Sequence, residues 1–90
     1  MAAITHGMNP EEVEGLGNRL KQAKDQIDQM VNELEGRVSC TTWFGPDATT
    51  FKTEWWPNHR QQLRAIAEAI GGFGQSALNN ASEQRNASSR

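Results

Sequence analysis

Three side chains in this sequence have the types that could do metal or covalent chemistry: the single Cys40 and the two histidines, His6 and His59. A reactive cysteine needs a neighbour that stabilises the thiolate, and Cys40 has only Arg37 one helical turn before it, with no base beside it. Around His59 the positions at helical spacing hold arginines and amides rather than a second ligand. No Cys or His spacing resembles a zinc site, and no acid, base and nucleophile converge on a catalytic spacing. The expectation is a protein that is not an enzyme and holds no metal and no cofactor. What remains is recognition, and residues 42–47, Thr-Trp-Phe-Gly-Pro-Asp, are the place for it. Trp43 and Phe44 are large apolar side chains where a turn normally carries small polar ones. Something has to cover them.

Two long amphipathic segments position that turn. Gly45 can adopt backbone angles closed to other residues, and Pro46 suits the first position of a helix because its φ is already set and its missing N–H is not needed there. Asp47 follows in the first turn, where its charge meets the positive end of the helix dipole. Before the turn, Asn9, Pro10 and Glu12 form a helix start: an N-cap, a first-turn proline and a capping-box acid. The apolar positions Val13, Leu16, Leu20, Ala23, Ile27, Met30 and Leu34 then alternate spacings of three and four, which is a heptad seam. Val31 and Val38 add a second row, widening the stripe toward Trp43 as a helical bundle requires. Gly15, Gly17 and Gly36 each cost about 1 kcal/mol relative to Ala in a helix. Packing must supply the stability.

After the turn, Ala48, Phe51 and Trp55 share one face, followed by Leu63, Ile66, Ile70, Phe73 and Ala77. Eight residues separate Trp55 from Leu63 where a heptad has seven, and the slip coincides with Pro57. A kink or local straightening is expected there, with a break into two helices as the alternative. Trp56 lies off this stripe, and an indole exposed there would be a candidate contact for a further protein. Gly71, Gly72 and Gly74 mark either a close helix approach or a mobile end. The fold predicted is all-α: a helix-turn-helix hairpin with two long antiparallel helices at about 10–38 and 46–80. Residues 1–8 are expected to be a flexible N-terminus and residues 81–90 a flexible C-terminal tail.

Ninety residues make one domain that buries only part of its surface, so self-association or a partner is expected. A net charge of −2, with acids and bases interleaved, gives no basic field for nucleic acid, and the same balance disfavours nucleic-acid binding through Arg60 and Arg64. No apolar run reaches the length of a membrane span, so stable membrane insertion is not expected. Residues 1–8 lack the charged start and apolar run of a cleaved signal peptide.

The motif Trp43-Phe44-Gly45, followed by Ala48 and Phe51 and set midway between two amphipathic helices, resembles the WXG family of type VII secretion substrates, the group of the early secreted antigenic target proteins. The family pattern is Trp-x-Gly-x-Ala-Ala-x-x-Phe, and Asp47 stands here where the first Ala would be. The resemblance spans essentially the whole chain. It implies a hairpin that pairs antiparallel with a second one, itself or a homologous WXG protein, into a four-helix bundle. By the same resemblance the chain is made in the bacterial cytoplasm and exported by an ATPase-driven type VII (ESX-like) machine, as substrate or co-secreted partner or chaperone. It would reach the medium or cell surface without cleavage of a signal peptide. The resemblance assigns export and partner recognition to Trp43, Phe44 and Gly45, beside the C-terminal arm of the other subunit. Packing of the hairpin and dimer falls to Val13, Leu16, Leu20, Ile27, Met30, Leu34, Phe51, Trp55, Leu63, Ile66, Ile70 and Phe73. One departure stands out: the family's arm often carries Tyr-x-x-x-Asp or Glu, and this chain has no Tyr. Glu83 could stand for the acid, but Asn79 occupies the tyrosine's place.

A rival reading needs no export. The same seam would serve an intracellular helical adaptor that binds a partner helix.

Overall fold

Asn9 starts the first helix as its sequence requires, its side-chain oxygen accepting from the backbone N–H groups of Glu11 and Glu12 at 3.0 and 3.3 Å. Its amide in turn donates to Glu12 Oε2 at 2.9 Å, so the box closes through side chains. The computed structural model describes residues 7–88. From Asn9 the chain runs as α1 (Pro10–Cys40), an irregular corner, α2 (Pro46–Thr50), a π-helical turn (Phe51–Trp55) and α3 (Trp56–Ser88). Among the described residues there is no strand. The result is a helical hairpin with extents of 66 × 16 × 15 Å, two helices wide and one layer thick. Its radius of gyration, 19.8 Å, far exceeds the about 12 Å of a compact chain of this length. A single layer leaves both faces of the pair open to water.

One boundary differs from expectation. The second arm does not end near residue 80: α3 continues to Ser88, so residues 81–88 are helix rather than a flexible tail. Ala81 is buried against α1, and Arg85 Nη2 sits 3.0 Å from Glu14 Oε1, which ties that last stretch to the first helix. The flexible segment expected over 1–8 lies outside the described residues except for Gly7 and Met8.

The seam between the arms is also not quite the one the apolar pattern suggests. Val13, Leu20 and Ile27 face α3 as expected, but the alternating row is Gly17, Lys24, Val31 and Val38 rather than Leu16, Ala23 and Met30. Val31 is the largest fully buried side chain. Leu16 and Met30 are each more than half exposed. On α3 the seam reads Trp56, Arg60, Leu63, Ala67, Ile70, Gly74, Ala77 and Ala81, an unbroken heptad once it starts at Trp56.

That starting point corrects the reading of the two tryptophans. Trp56 is 6% exposed, whereas Trp55 is 48% exposed. Pro57 cannot donate a backbone hydrogen bond, and the helix relaxes around it by widening one turn: Trp56 N–H bonds to Phe51 O, five residues back. A π turn accommodates one extra residue. Counting seven from buried Ala48 gives Trp55, and the extra residue passes that seam position to Trp56. The one-residue slip in the sequence and the widened turn are the same event, and the arm stays a continuous right-handed helix through it, with Thr50, Phe51 and Trp56 all in the helical region.

Where the arms cross most closely, glycine is required. A Cβ on Gly17 would sit 2.9 Å from Gly74 O, and one on Gly74 would sit 2.8 Å from Gly17 O. Backbone meets backbone there, so no side-chain motion relieves the clash. Gly36 has open space instead. Gly36→Ala is therefore expected to raise stability by about 0.5–1 kcal/mol through helix propensity alone. Gly74→Ala should reverse the sign, losing about 1–3 kcal/mol to overpacking. Urea denaturation of the two variants beside the parent checks both signs, and a gain for Gly74→Ala would mean the arms are not in close contact there.

Candidate functional site

The corner is built from the carbonyls that end α1 and the glycine that starts α2. Thr41 N–H reaches back to Arg37 O at 3.0 Å, closing α1. Gly45 takes φ 111° and ψ 173°, a backbone conformation that side chains with a Cβ rarely adopt. Thr49 then donates to Gly45 O through both its N–H (3.0 Å) and its hydroxyl (3.1 Å). Lys52, one turn into the arm, extends its ammonium back across the corner to Thr41 O at 3.0 Å and Trp43 O at 3.4 Å. That cation satisfies carbonyls at the negative end of α1 and holds the corner in one shape. The sequence reading missed Lys52, because its partners are backbone atoms nine and eleven residues earlier and no side-chain pattern announces them.

On this corner Phe44 is 86% exposed and Trp43 is 42% exposed. Trp43 leans on Phe51 with ring centroids 5.4 Å apart. The rings continue down the second arm: Phe51 stacks on Trp55 at 5.0 Å, and Trp55 on His59 at 3.9 Å. His59 Nδ1 lies 2.7 Å from Trp55 O. A carbonyl can only accept, so Nδ1 carries the proton and His59 is a packed, hydrogen-bonded ring.

This ladder opens onto one flank of the hairpin. Leu34, Val38, Phe51, Trp55, His59, Leu63 and Ile66 line an apolar groove between the arms. Heptad position explains which residues reach this flank. Leu16, Ala23 and Met30 occupy the position just before each Gly17, Lys24 and Val31, and His59, Ile66 and Phe73 do the same beside Arg60, Ala67 and Gly74. In an antiparallel pair these two rows lie on the same side. The expected packing set therefore divides. Val13, Leu20, Ile27, Leu63 and Ile70 are half-buried in the seam, with Phe51 half-buried in the ladder. Leu16, Met30, Leu34, Trp55, Ile66 and Phe73 are exposed on the flank, Phe73 at 68%.

The opposite flank is polar and already satisfied. Glu14 pairs with Arg85, Lys21 Nζ donates to Gln75 Oε1 at 2.8 Å, and Arg64 donates to Asn32 at 3.0 Å. Glu35 Oε1 accepts from both Arg60 (2.6 Å) and the Trp56 indole N–H (2.7 Å). These two donors, Arg60 first, hold the Glu35 carboxyl below its ordinary 4.5, and Arg85 does the same for Glu14. One side of the rod is closed by charge and the other is left open and apolar.

Cys40 is an exposed free thiol, and among the described residues no group of His, Cys, Asp and Glu is placed to hold a metal ion. Among those residues no helix is long and apolar enough to cross a membrane. Comparison with family models, curated proteins and solved structures finds no match to this chain.

Proposed function

We propose that this chain is a non-enzymatic export protein of the WXG type: a hairpin that pairs with a second hairpin in an antiparallel four-helix bundle and presents its corner to a type VII secretion machine. It acts as substrate or as co-secreted partner or chaperone. It is made in the bacterial cytoplasm and delivered to the medium or the cell surface. The corner residues Trp43, Phe44 and Gly45 form part of the export signal, and the ATPase of the machine is the partner that reads it.

The observation that carries this reading is an exposed aromatic pair on a corner fixed from three directions, by Gly45, by the Thr49 cap and by Lys52. Nothing in the hairpin's own packing needs Phe44, which is 86% exposed. Large apolar groups held rigidly in solvent are what a docking surface offers, since little conformational entropy is lost when a partner covers them. The apolar flank also suits an intracellular adaptor that captures a helix, so location has to decide between the two.

The deciding experiment expresses the chain in a bacterium with an active type VII machine and measures intact protein in the medium. Export is expected to fall at least tenfold for Trp43→Ala combined with Phe44→Ala, with the cell-retained variant still helical by circular dichroism. Retention of the parent chain inside such cells would favour the adaptor. Undiminished export of the double variant would remove the corner from the signal.

A further inference from the structure

The apolar groove beside the aromatic ladder runs on toward the corner, and its corner end is cationic. We infer that this groove is a binding site for a free long-chain fatty acid, its alkyl chain lying between the arms and its carboxylate held by Lys52 and Arg37. The site is complete within one hairpin, so it depends on neither pairing nor export.

Two adjoining cavities form it. The first, of about 430 Å³, runs along the arms from Ile66 and Leu63 to Leu34, Val38 and Phe51. The second, of about 240 Å³, shares those last three residues and continues to Trp43, Arg37 and Lys52. Together they have the size of a small-molecule pocket, which runs from about 300 to 1,000 Å³. A helical rise of about 1.5 Å per residue sets Lys52 and Ile66 about 20 Å apart along the arm. That exceeds the about 15 Å that half of a bilayer's hydrocarbon core gives one acyl chain. A long chain fits at full stretch.

The wall suits hydrocarbon because it has few hydrogen bonds left to offer. His59 Nδ1 is committed to Trp55 O and the Trp56 indole N–H to Glu35, which leaves Gln62 as the free amide of the first cavity. An extended peptide laid there would strand its own backbone N–H and C=O groups against apolar side chains. An alkyl chain brings no such groups.

Charge fixes the head group and its direction. No carboxylate lines either cavity, and the two charged side chains that do, Arg37 and Lys52, both belong to the corner end. Lys52 gives two of its three ammonium protons to Thr41 O and Trp43 O, at 3.0 and 3.4 Å, which pins the cation in place. The third is left for an anion. Arg37 gives its Nε to Glu33 at 3.0 Å, which leaves the Nη groups of the guanidinium fork. Arg37, Lys52 and Glu33 together keep one net positive charge. A fatty acid is ionised at neutral pH and carries one negative charge at one end of an apolar rod, which complements this layout.

The test titrates the full chain with fatty acids of ten to sixteen carbons below their micelle concentrations, reading tryptophan fluorescence and calorimetric stoichiometry. One acid per hairpin is expected, with affinity rising about fourfold for each methylene buried. Lys52→Met keeps the aliphatic stem and removes the charge, so it should weaken dodecanoate at least tenfold and leave dodecanol unchanged. Arg37→Gln, at an exposed position, should weaken dodecanoate severalfold in the same selective way. Leu34→Glu sets a carboxylate on the wall the two cavities share and should abolish binding while circular dichroism stays helical. Acid and alcohol weakened alike by both cation variants would overturn the head-group site. Binding without saturation, or of many acids per hairpin, would mean an apolar surface merely wetted by amphiphile and would overturn the pocket. Uptake of the chain by phosphatidylglycerol vesicles without binding of free acid would also overturn it, making the corner a membrane contact. Phe73→Glu, outside both cavities, keeps this result apart from pairing. The acid is expected to bind that variant as it binds the parent, and its loss would overturn a site within one hairpin. Unaltered acid binding by a chain that neither pairs nor is exported would sink the export reading alone.

Discussion

Trp56→Ala should cost the hairpin about 3–5 kcal/mol, the largest loss expected from any single side chain here, because it empties a buried aromatic site and no neighbouring layer exists to collapse into the space. A domain of this length has only about 5–13 kcal/mol of stability in all, so the variant is expected to lose a large share of it. The indole fills the seam at 6% exposure and donates to Glu35, which also receives Arg60. Removing it therefore loosens a cross-arm network as well as a packing contact. The identical change one residue earlier, Trp55→Ala, should cost about 1 kcal/mol in dilute solution, since that ring is 48% exposed and touches chiefly Phe51 and His59. Raising the protein concentration should enlarge the Trp55 effect and not the Trp56 effect, because only Trp55 lies where a second hairpin would add stability by mass action. Urea unfolding followed by circular dichroism at two concentrations separates the pair. Equal losses for both would mean the seam does not pass to Trp56.

That contrast also shows what could be read from the sequence and what could not. The capping residues Asn9 and Glu12, the corner at Gly45-Pro46 and the helical period of both arms were all legible, because each is a local preference written in residue type. The site at the corner was legible for the same reason: two large apolar residues in a turn contradict what turns need. The identity of the seam was not. Gly17 and Lys24 hold seam positions without looking apolar, one because the arms touch backbone to backbone and the other because its aliphatic stem lies along Gly71 while its ammonium pairs with Asp28 at 2.7 Å. Leu16 and Met30 look like seam and face outward. Apolar pattern reports that a side chain is to be covered, and does not say by which helix. The slip at Pro57 was visible as a miscount, yet a miscount admits a kink, a break or a widened turn, and only the hydrogen bond from Trp56 to Phe51 O selects among them. The helical continuation to Ser88 was hidden because its support is remote: Arg85 finds Glu14 across the hairpin, seventy-one residues away in the chain.

The other large effect belongs to the flank, and it should appear in association rather than in folding. Phe73→Glu places a carboxylate where the ring is 68% exposed in the single hairpin, so the unfolding free energy of the isolated hairpin should change by no more than about 0.5 kcal/mol. Docking changes the balance. An ionised carboxylate enclosed by Ile66 and the arms of a second copy would lose its water with no cation on that part of α3 to replace it, at a cost of several kcal/mol. A two-fold interface contains the substitution twice, so the two penalties combine in a single dissociation constant. The Kd of self-association is expected to rise at least a thousandfold, about 4 kcal/mol, turning dimer into monomer at micromolar concentration. Glu83→Gln, on the same arm but beyond the apolar rows, should leave it unchanged. Sedimentation velocity read beside circular dichroism gives the answer: a helical monomer for Phe73→Glu locates the interface on this flank. A helical dimer would move the interface elsewhere and leave the exposed row of Leu16, Met30, Ile66 and Phe73 without a physical reason to be apolar.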